Sequence, residues 1–160
     1  MSCFEHEDLN GQILDLGTGT GRLAIGAALM GAESIVGLDL DKKSVALAVR
    51  NAKTAQVSVD WVVGNLDSVR GKFDTVVMNP PYGNRSPHQD VHFLTRAFEL
   101  ANVIYSIHKS STRKFLVQFV RKSGRQVAQL RSMAMPIPHL FDFHQKKWKT
   151  IEIDLYRITV

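Results

Sequence analysis

Phe73-Asp74-Thr75-Val76-Val77-Met78-Asn79-Pro80-Pro81-Tyr82 is the stretch whose reading decides the fold. Its first six residues form a short apolar run of the kind that fills a buried parallel strand. Two prolines directly afterwards end ladder donation and fix the local backbone. An Asn side chain and an aromatic ring are thereby presented at the carboxyl end of a sheet, where open α/β folds hold their ligands. A planar amine suits that place. It can donate its two hydrogens to the Asn79 side-chain oxygen and a neighbouring backbone carbonyl while lying against the Tyr82 ring. Taken alone, Asn79-Pro80-Pro81-Tyr82 also reads as a proline-braced turn.

Upstream, Ile13-Leu14 leads into Asp15-Leu16-Gly17-Thr18-Gly19-Thr20-Gly21, followed by the small and apolar Leu23, Ala24, Ile25, Ala27, Ala28 and Leu29. Strand, glycine turn and helix together let backbone N–H groups approach a nucleotide-like ligand at a helix N-terminus. The spacing is not that of a dinucleotide fingerprint, because Arg22 stands where the third glycine belongs. The next apolar run, Ser34–Asp39, ends in an acid 22 residues after Gly17, where a carboxylate can accept both hydroxyls of a ribose.

At this point the chain resembles the class I S-adenosylmethionine-dependent methyltransferases that act on amines. Two further stretches are more specific. Val103-Ile104-Tyr105-Ser106-Ile107-His108-Lys109-Ser110-Ser111-Thr112-Arg113, and His144-Gln145-Lys146-Lys147-Trp148-Lys149 followed by Ile151-Glu152-Ile153-Asp154-Leu155, resemble the small-subunit rRNA adenine-N6 methyltransferase family (methyltransferase-like protein five) and its archaeal relatives. The likeness runs over nearly the whole chain. It implies a Rossmann-like, seven-stranded, mostly parallel methyltransferase sheet of order 3-2-1-4-5-7-6 with helices on both faces. It also implies an N-terminal helical segment that relatives carry and that this chain is expected to lack, making residues 1–160 a single methyltransferase domain.

Composition fits that reading. A chain of 160 residues with 44% hydrophobic content is one domain with room for a core. No apolar run is long enough to span a bilayer, and no secretory leader opens the sequence. Cys3 is the only cysteine, so neither an internal disulfide nor a cysteine zinc site is available, which is compatible with a reducing cytoplasm. The charge is divided. Residues 1–83 hold 7 Lys/Arg against 10 Asp/Glu, whereas residues 84–160 hold 13 against 5. An acidic half for the cofactor and a basic half for a phosphate-bearing partner follow, against the plainer reading of a solubilising surface.

Strands are expected over Gln12–Gly17, Ser34–Asp39, Val57–Val63, Phe73–Met78, Asn102–His108, Gln126–Met135 and Lys149–Val160. Helices are expected over Gly21–Met30, Lys42–Thr54, Asp90–Ala101 and Ser111–Lys122. Five strands alternating with helices, then two long strands in succession, read as a parallel sheet closed by an antiparallel hairpin. Pro136, Pro138 and the basic tract fall in the hairpin loop.

The resemblance assigns roles. Asn79, Pro80, Pro81 and Tyr82 form the catalytic motif. Asp15, Gly17, Thr18, Gly19 and Gly21 hold S-adenosyl-L-methionine, with Asp15 approaching its methionine amino group. Asp39 binds the ribose, and Asn65 accepts from the adenine amine, with Asp67 as its substitute. Asp41 is read instead as the cap of the helix starting at Lys42. His108, Lys109 and Arg113 after strand five, and Lys146, Lys147 and Lys149 around Trp148, are candidates for RNA contact; loop polarity and a solubilising hairpin tip are the plainer readings. No metal-ligand spacing occurs. The same motif serves guanine-N2 and protein-glutamine methylation, and a non-catalytic RNA- or partner-binding module on this fold is a third reading. DNA methylation is disfavoured, since no target-recognition domain fits in 160 residues. The run Val57–Val63, with Asp60 as its one charge, is expected at the sheet edge. Relatives add a strand there from a small zinc-binding activator protein, which is the partner implied here.

Overall fold

The computed structural model describes residues 7–81, 89–138 and 148–160. The strands are β1 (Gln12–Leu16), β2 (Ser34–Asp39), β3 (Asp60–Val63), β4 (Phe73–Met78), β5 (Ala101–Lys109), β6 (Gln126–Pro138) and β7 (Trp148–Thr159). The helices are α1 (Arg22–Leu29), α2 (Lys42–Thr54), α3 (Gln89–Leu100) and α4 (Arg113–Lys122). The sheet order is β3-β2-β1-β4-β5-β7-β6, with β7 antiparallel to both neighbours and the other pairs parallel.

Strands buried on both faces explain the apolar runs. Successive residues point to opposite layers. Leu14, Val76, Ile104 and Tyr156 pack with Leu94 and Ala97 of α3 and with Leu116 and Val120 of α4. Ile13, Val77 and Tyr105 pack with Ala24 and Ala27 of α1. The small residues of α1 let its axis lie close to the sheet. Asp41 caps α2, accepting from Lys43 N–H at 3.0 Å and Ser44 N–H at 3.2 Å.

Most boundaries fall within a single residue of the sequence reading, and three differences bear on the architecture. Strand β3 spans Asp60–Val63 only; Val57, Val59 and Trp61 are half-buried, whereas Ser58, Asp60, Val62 and Val63 are exposed, so the alternation of burial stops at Val62. A 3₁₀ turn, Ser110–Thr112, precedes α4, which begins at Arg113 rather than Ser111. Strand β6 runs through Pro136 to Pro138, which pair with Thr150 and Trp148, instead of leaving them in a loop. Among the described residues β6 is the outermost strand and bonds on one side only. Prolines two residues apart share one phase of the ladder, so both donor-less nitrogens can face the open side.

Candidate active site

The carboxyl ends of the parallel strands bring the acidic and glycine residues together. Asp15, on β1, is buried. Its Oδ2 accepts the Thr18 hydroxyl at 2.6 Å and the Ala24 N–H at 2.9 Å. Asp15 therefore caps α1 from the neighbouring strand, because the residue before that helix is Gly21, which has no side chain to do so. Burial pushes the Asp15 carboxyl up to about 6, against the opposing pull of those two hydrogen bonds.

The loop that follows is tied to β2. Gly17 and Thr18 both donate to the Leu38 carbonyl at 2.9 Å, and Gly19 N–H donates to Asp39 Oδ2 at 2.8 Å. Asp39 Oδ1 accepts from Asp41 N–H at 2.9 Å. The Asn51 side chain of α2 donates to the Thr20 carbonyl at 2.9 Å. Gly17, Gly19 and Gly21 have φ of 77°, 55° and 85°, left-handed values that make glycine the suitable residue at each. Gly17 also has a close neighbour, for a Cβ there would lie 2.7 Å from the ring of Phe93 on α3.

Between this loop and α3 lies a cleft of about 210 Å³ lined by Gly17, Leu38, Asp39, Leu40, Asn65, Leu66, His92 and Phe93. Its walls are apolar and its rim carries a carboxylate. Asn65 lines the cleft, but its Oδ1 accepts the Asp67 N–H at 3.0 Å and caps the 3₁₀ turn Leu66–Ser68. The Asp67 carboxylate is held by His92 Nε2 at 2.8 Å. Leu40, Leu66, His92 and Phe93 escaped sequence reasoning. The α3 pair reaches the cleft only through tertiary packing, whereas Leu40 and Leu66 directly follow Asp39 and Asn65, a position that could have marked them.

Register brings Asn79-Pro80-Pro81 to the same end of the sheet as the loop. Asp15 pairs with Val77 at the end of the β1–β4 ladder, so Gly17 and Asn79 each follow two residues later as the chain leaves neighbouring strands. Asn79 is exposed there, and Pro80 behind it is buried. Tyr82 lies outside the described residues.

On the far side the structure corrects one assignment. His108 is buried, with Nε2 2.6 Å from Ser106 Oγ, Nδ1 3.7 Å from Asp90 and its ring edge-on to Tyr156. A ring enclosed this way does not face RNA, and the alternation of β5 is the reason, since Ser106 and His108 share the inward phase. Arg113 is largely committed too. Its Nε and Nη2 donate to Asp154 at 2.7 Å each, and Nη2 to Ser132 at 2.8 Å. Asp154 is fully buried; burial disfavours its charge, but hydrogen bonds from Arg113, Ser110 and Ser132 outweigh that and hold it down to about 2. Lys109 lines a basin of about 630 Å³ with Ser110, Ser111, Arg113, Ile151 and Glu152. Lys146 and Lys147 lie outside the described residues, and Lys149 is described only as backbone in β7.

Asp39 bridges the loop and the cleft, so its removal has a defined consequence. Asp39→Ala is expected to weaken cofactor binding by roughly 1.5–3 kcal/mol, the range for hydrogen bonds to a charged group. Calorimetry on the folded variant measures it, and an unchanged affinity removes Asp39 from the ribose site.

Comparison with known proteins agrees with this geometry. The family model for ribosomal protein L11 methyltransferase (PrmA) matches residues 3–80, the half that carries the loop, Asp39 and the start of the amine motif. The solved magnesium protoporphyrin IX methyltransferase of Synechocystis, with bound SAM, shares the fold, with TM-score 0.74 at 16% identity over 97% of this chain and 74% of that one. A solved protein of Pyrococcus horikoshii, described as a candidate RNA methyltransferase, superposes with TM-score 0.87 at 34% identity, over 99% of this chain and 79% of its own. The rRNA N(6)-adenosine-methyltransferase Mettl5 of Drosophila melanogaster is 34% identical over 98% of this chain and 78% of its own length. With the acid-tethered glycine loop, the ribose-spaced carboxylate and Asn79-Pro80-Pro81 on one sheet edge, the chain belongs to the rRNA N(6)-adenosine-methyltransferase family.

Proposed function

We propose that this protein transfers a methyl group from S-adenosyl-L-methionine to the N6 amine of an adenine in structured RNA, with small-subunit rRNA as the substrate. The observation that carries the reading is the placement of Asn79 at the same end of the sheet as the glycine loop. The cofactor fits the residues present. Each oxygen of Asp39 makes one backbone hydrogen bond and keeps a lone pair for a ribose hydroxyl. Leu40, Leu66 and Phe93 offer apolar surface for an adenine, and Asp15, enclosed beneath the glycine loop, acts on an ammonium through its charge rather than by contact.

S-adenosylmethionine supplies a methyl group on a sulfonium. The chain's own residues act on the nucleophile. An adenine N6 lone pair is delocalised into the ring, so the amine is a weak nucleophile. Asn79 Oδ1 and the Pro80 carbonyl accept its two hydrogens, which favours a more pyramidal nitrogen and fixes its lone pair in line with the methyl. Alignment and fixed dipoles then lower the barrier without a strong base. Pro81 confines Pro80 to extended ψ, which limits the directions its carbonyl can take. Tyr82 is assigned to stack on the flipped base, and Lys109, Lys146, Lys147 and Lys149 to the RNA backbone. Incubating the protein with labelled cofactor and total rRNA, followed by nucleoside analysis, tests the reading. Label in N6-methyladenosine is expected; label in N2-methylguanosine assigns the guanine amine, and no label in rRNA rejects the RNA reading.

The raised Asp15 carboxyl gives a second test. In the free fold Asp15 is protonated below about 6 and ionised above it. A nearby ammonium favours the ionised form. Cofactor affinity is therefore expected to rise as pH climbs through about 6, with a proton released on binding near that pH. The sign for stability is the reverse. The group's folded value lies above its unfolded 3.8, so its contribution is full below 3.8 and lost as pH rises to about 6. Calorimetry in buffers of different ionisation enthalpy counts the proton. Equal heats in all buffers, or the same pH dependence in Asp15→Asn, reject this role.

The edge strand β3 is assigned to a strand-adding partner, the small zinc-binding activator protein that the family resemblance implies. Val62 and Val63 are exposed on it, and among the described residues β3 bonds to β2 alone. An open strand edge with exposed apolar side chains can accept an added strand, even one of four residues. The amides of Asp60–Val63 are expected to gain hydrogen-exchange protection in the complex. Protection confined to another surface places the partner elsewhere. The cytoplasm is the compartment proposed; no helix among the described residues is long and apolar enough to cross a membrane.

A further inference from the structure

We infer that Trp61 is a positioning residue for the cofactor, acting through the glycine loop that it supports from the outer strand of the sheet. The inference rests on the cofactor reading of that loop given above.

Trp61 stands opposite Gly37 in the β2–β3 ladder. Its indole ring lies flat across that glycine, where a Cβ on Gly37 would be 2.5 Å from Cζ3 and 2.6 Å from Cε3. The far corner of the ring, Cη2, is 2.7 Å from where a Cβ of Gly21 would be, and Ala48 Cβ lies 3.0 Å from the same point. One side chain therefore bridges the middle of β2 and the residue that opens α1. Gly37 sits in a buried strand at an ordinary strand φ, so its backbone does not require glycine. Space for the indole ring explains it.

The consequence runs to the cofactor through the next two residues of β2. Leu38 and Asp39 directly follow Gly37 and hold the loop by three bonds: Gly17 and Thr18 N–H to the Leu38 carbonyl, and Gly19 N–H to Asp39. Three residues of the loop are glycines at left-handed φ, which have the largest conformational freedom to regain if their support is removed. Without the ring, a void opens beside Gly21, where the loop enters α1, and over Gly37 of β2, just before the two residues that hold the loop. The loop then samples conformations that cannot receive the cofactor, and apparent affinity falls by the fraction that remains competent.

Trp61→Ala is expected to raise the Kd for S-adenosylhomocysteine by about 10-fold or more, while kcat at saturating cofactor stays near the wild-type value. Trp61→Phe is expected to recover most of the affinity. A structural role alone predicts lower thermal stability with no such split between Kd and kcat. Gly37→Ala supplies the second arm. In the wild-type background its new methyl meets the ring and raises Kd; in the Trp61→Ala background it is accommodated and adds no further loss. Additive effects overturn the inference, as does an unchanged Kd in folded Trp61→Ala. A third measurement needs no change at the site. With Trp148→Phe, Trp61 is the remaining tryptophan of two, and its emission is expected to change when S-adenosylhomocysteine binds; constant emission in a protein that binds by calorimetry counts against the inference. If the wild-type chain itself takes up no S-adenosylhomocysteine, the cofactor reading fails first, and the inference goes with it.

Discussion

Asn79→Ala is expected to lower turnover by on the order of 10²-fold or more while leaving cofactor affinity nearly intact. Asn79 is exposed at the end of β4, so truncating it opens no core cavity. It makes no hydrogen bond that the described fold depends on, and its loss should leave stability near the wild-type level. What is lost is the fixed acceptor for the target amine. That acceptor matters most when the nitrogen becomes pyramidal and positive, so the cost falls on the transition state rather than on binding. Single-turnover assays at saturating cofactor and RNA isolate the step. Asn79→Asp is the informative companion, since it keeps the acceptor and changes the charge. An Asn79→Ala protein that methylates within a few-fold of wild type would falsify the amine-alignment mechanism.

Arg157→Ala is expected to destabilise the fold by about 3–5 kcal/mol, because it strands a buried carboxylate. Arg157 on β7 holds Asp8 through Nε at 2.8 Å and Nη2 at 3.1 Å. The Tyr105 hydroxyl donates to the same carboxylate, and the Asp8 backbone carbonyl accepts Thr75 Oγ1 at 2.7 Å. Both charged side chains are largely buried, with 14% and 7% of their surface exposed, so water cannot replace the missing guanidinium. For a chain of this size the loss corresponds to a fall in Tm of about 10 °C or more. Thermal denaturation measures it, and Asp8→Ala on top of Arg157→Ala is expected to recover part of the loss by removing the orphan charge. A fall worth less than about 1 kcal/mol would give the pair the weight of a surface ion pair.

The fold was legible where burial on both faces imposed apolar runs. β2 and β4 end where their punctuation says they should, at Asp39 and before Asn79-Pro80-Pro81, and α2 begins after the Asp41 cap. The cofactor loop was legible for a related reason, since glycines at left-handed φ and an acid at fixed spacing leave a mark in one short segment. Other features depend on partners distant in sequence. His108 has the composition of a surface contact, and only the phase of β5 and the ring of Tyr156 decide that it is enclosed. Arg113 looked available for phosphate until β7 brought Asp154 beneath it. Pro136 and Pro138 read as loop residues because proline rarely enters a strand, and the exception depends on β6 being outermost. Gly37 carried a signal that went unread, since a glycine amid apolar strand residues marks a large neighbour.

The position of β7 sets an order of events at synthesis. Last of the strands to leave the ribosome, it lies between β5 and β6 rather than at a margin. Until it emerges, β6 has no neighbour, for its pairing is with β7 alone, over Gln126–Pro138. During that interval the nascent chain presents the bare flank of β5 and a long unpaired strand, the two features that invite mispairing. Against that hazard the thirteen residues of β6 carry two prolines, Pro136 and Pro138, and one charge, Arg131. The Asp8–Arg157 clasp is formed across 149 positions of sequence, so it too waits for the final strand. Completion of the sheet is thus a late, cooperative event, and ribosome-bound chains halted before Trp148 should remain open to chaperones however well β1 to β5 have assembled.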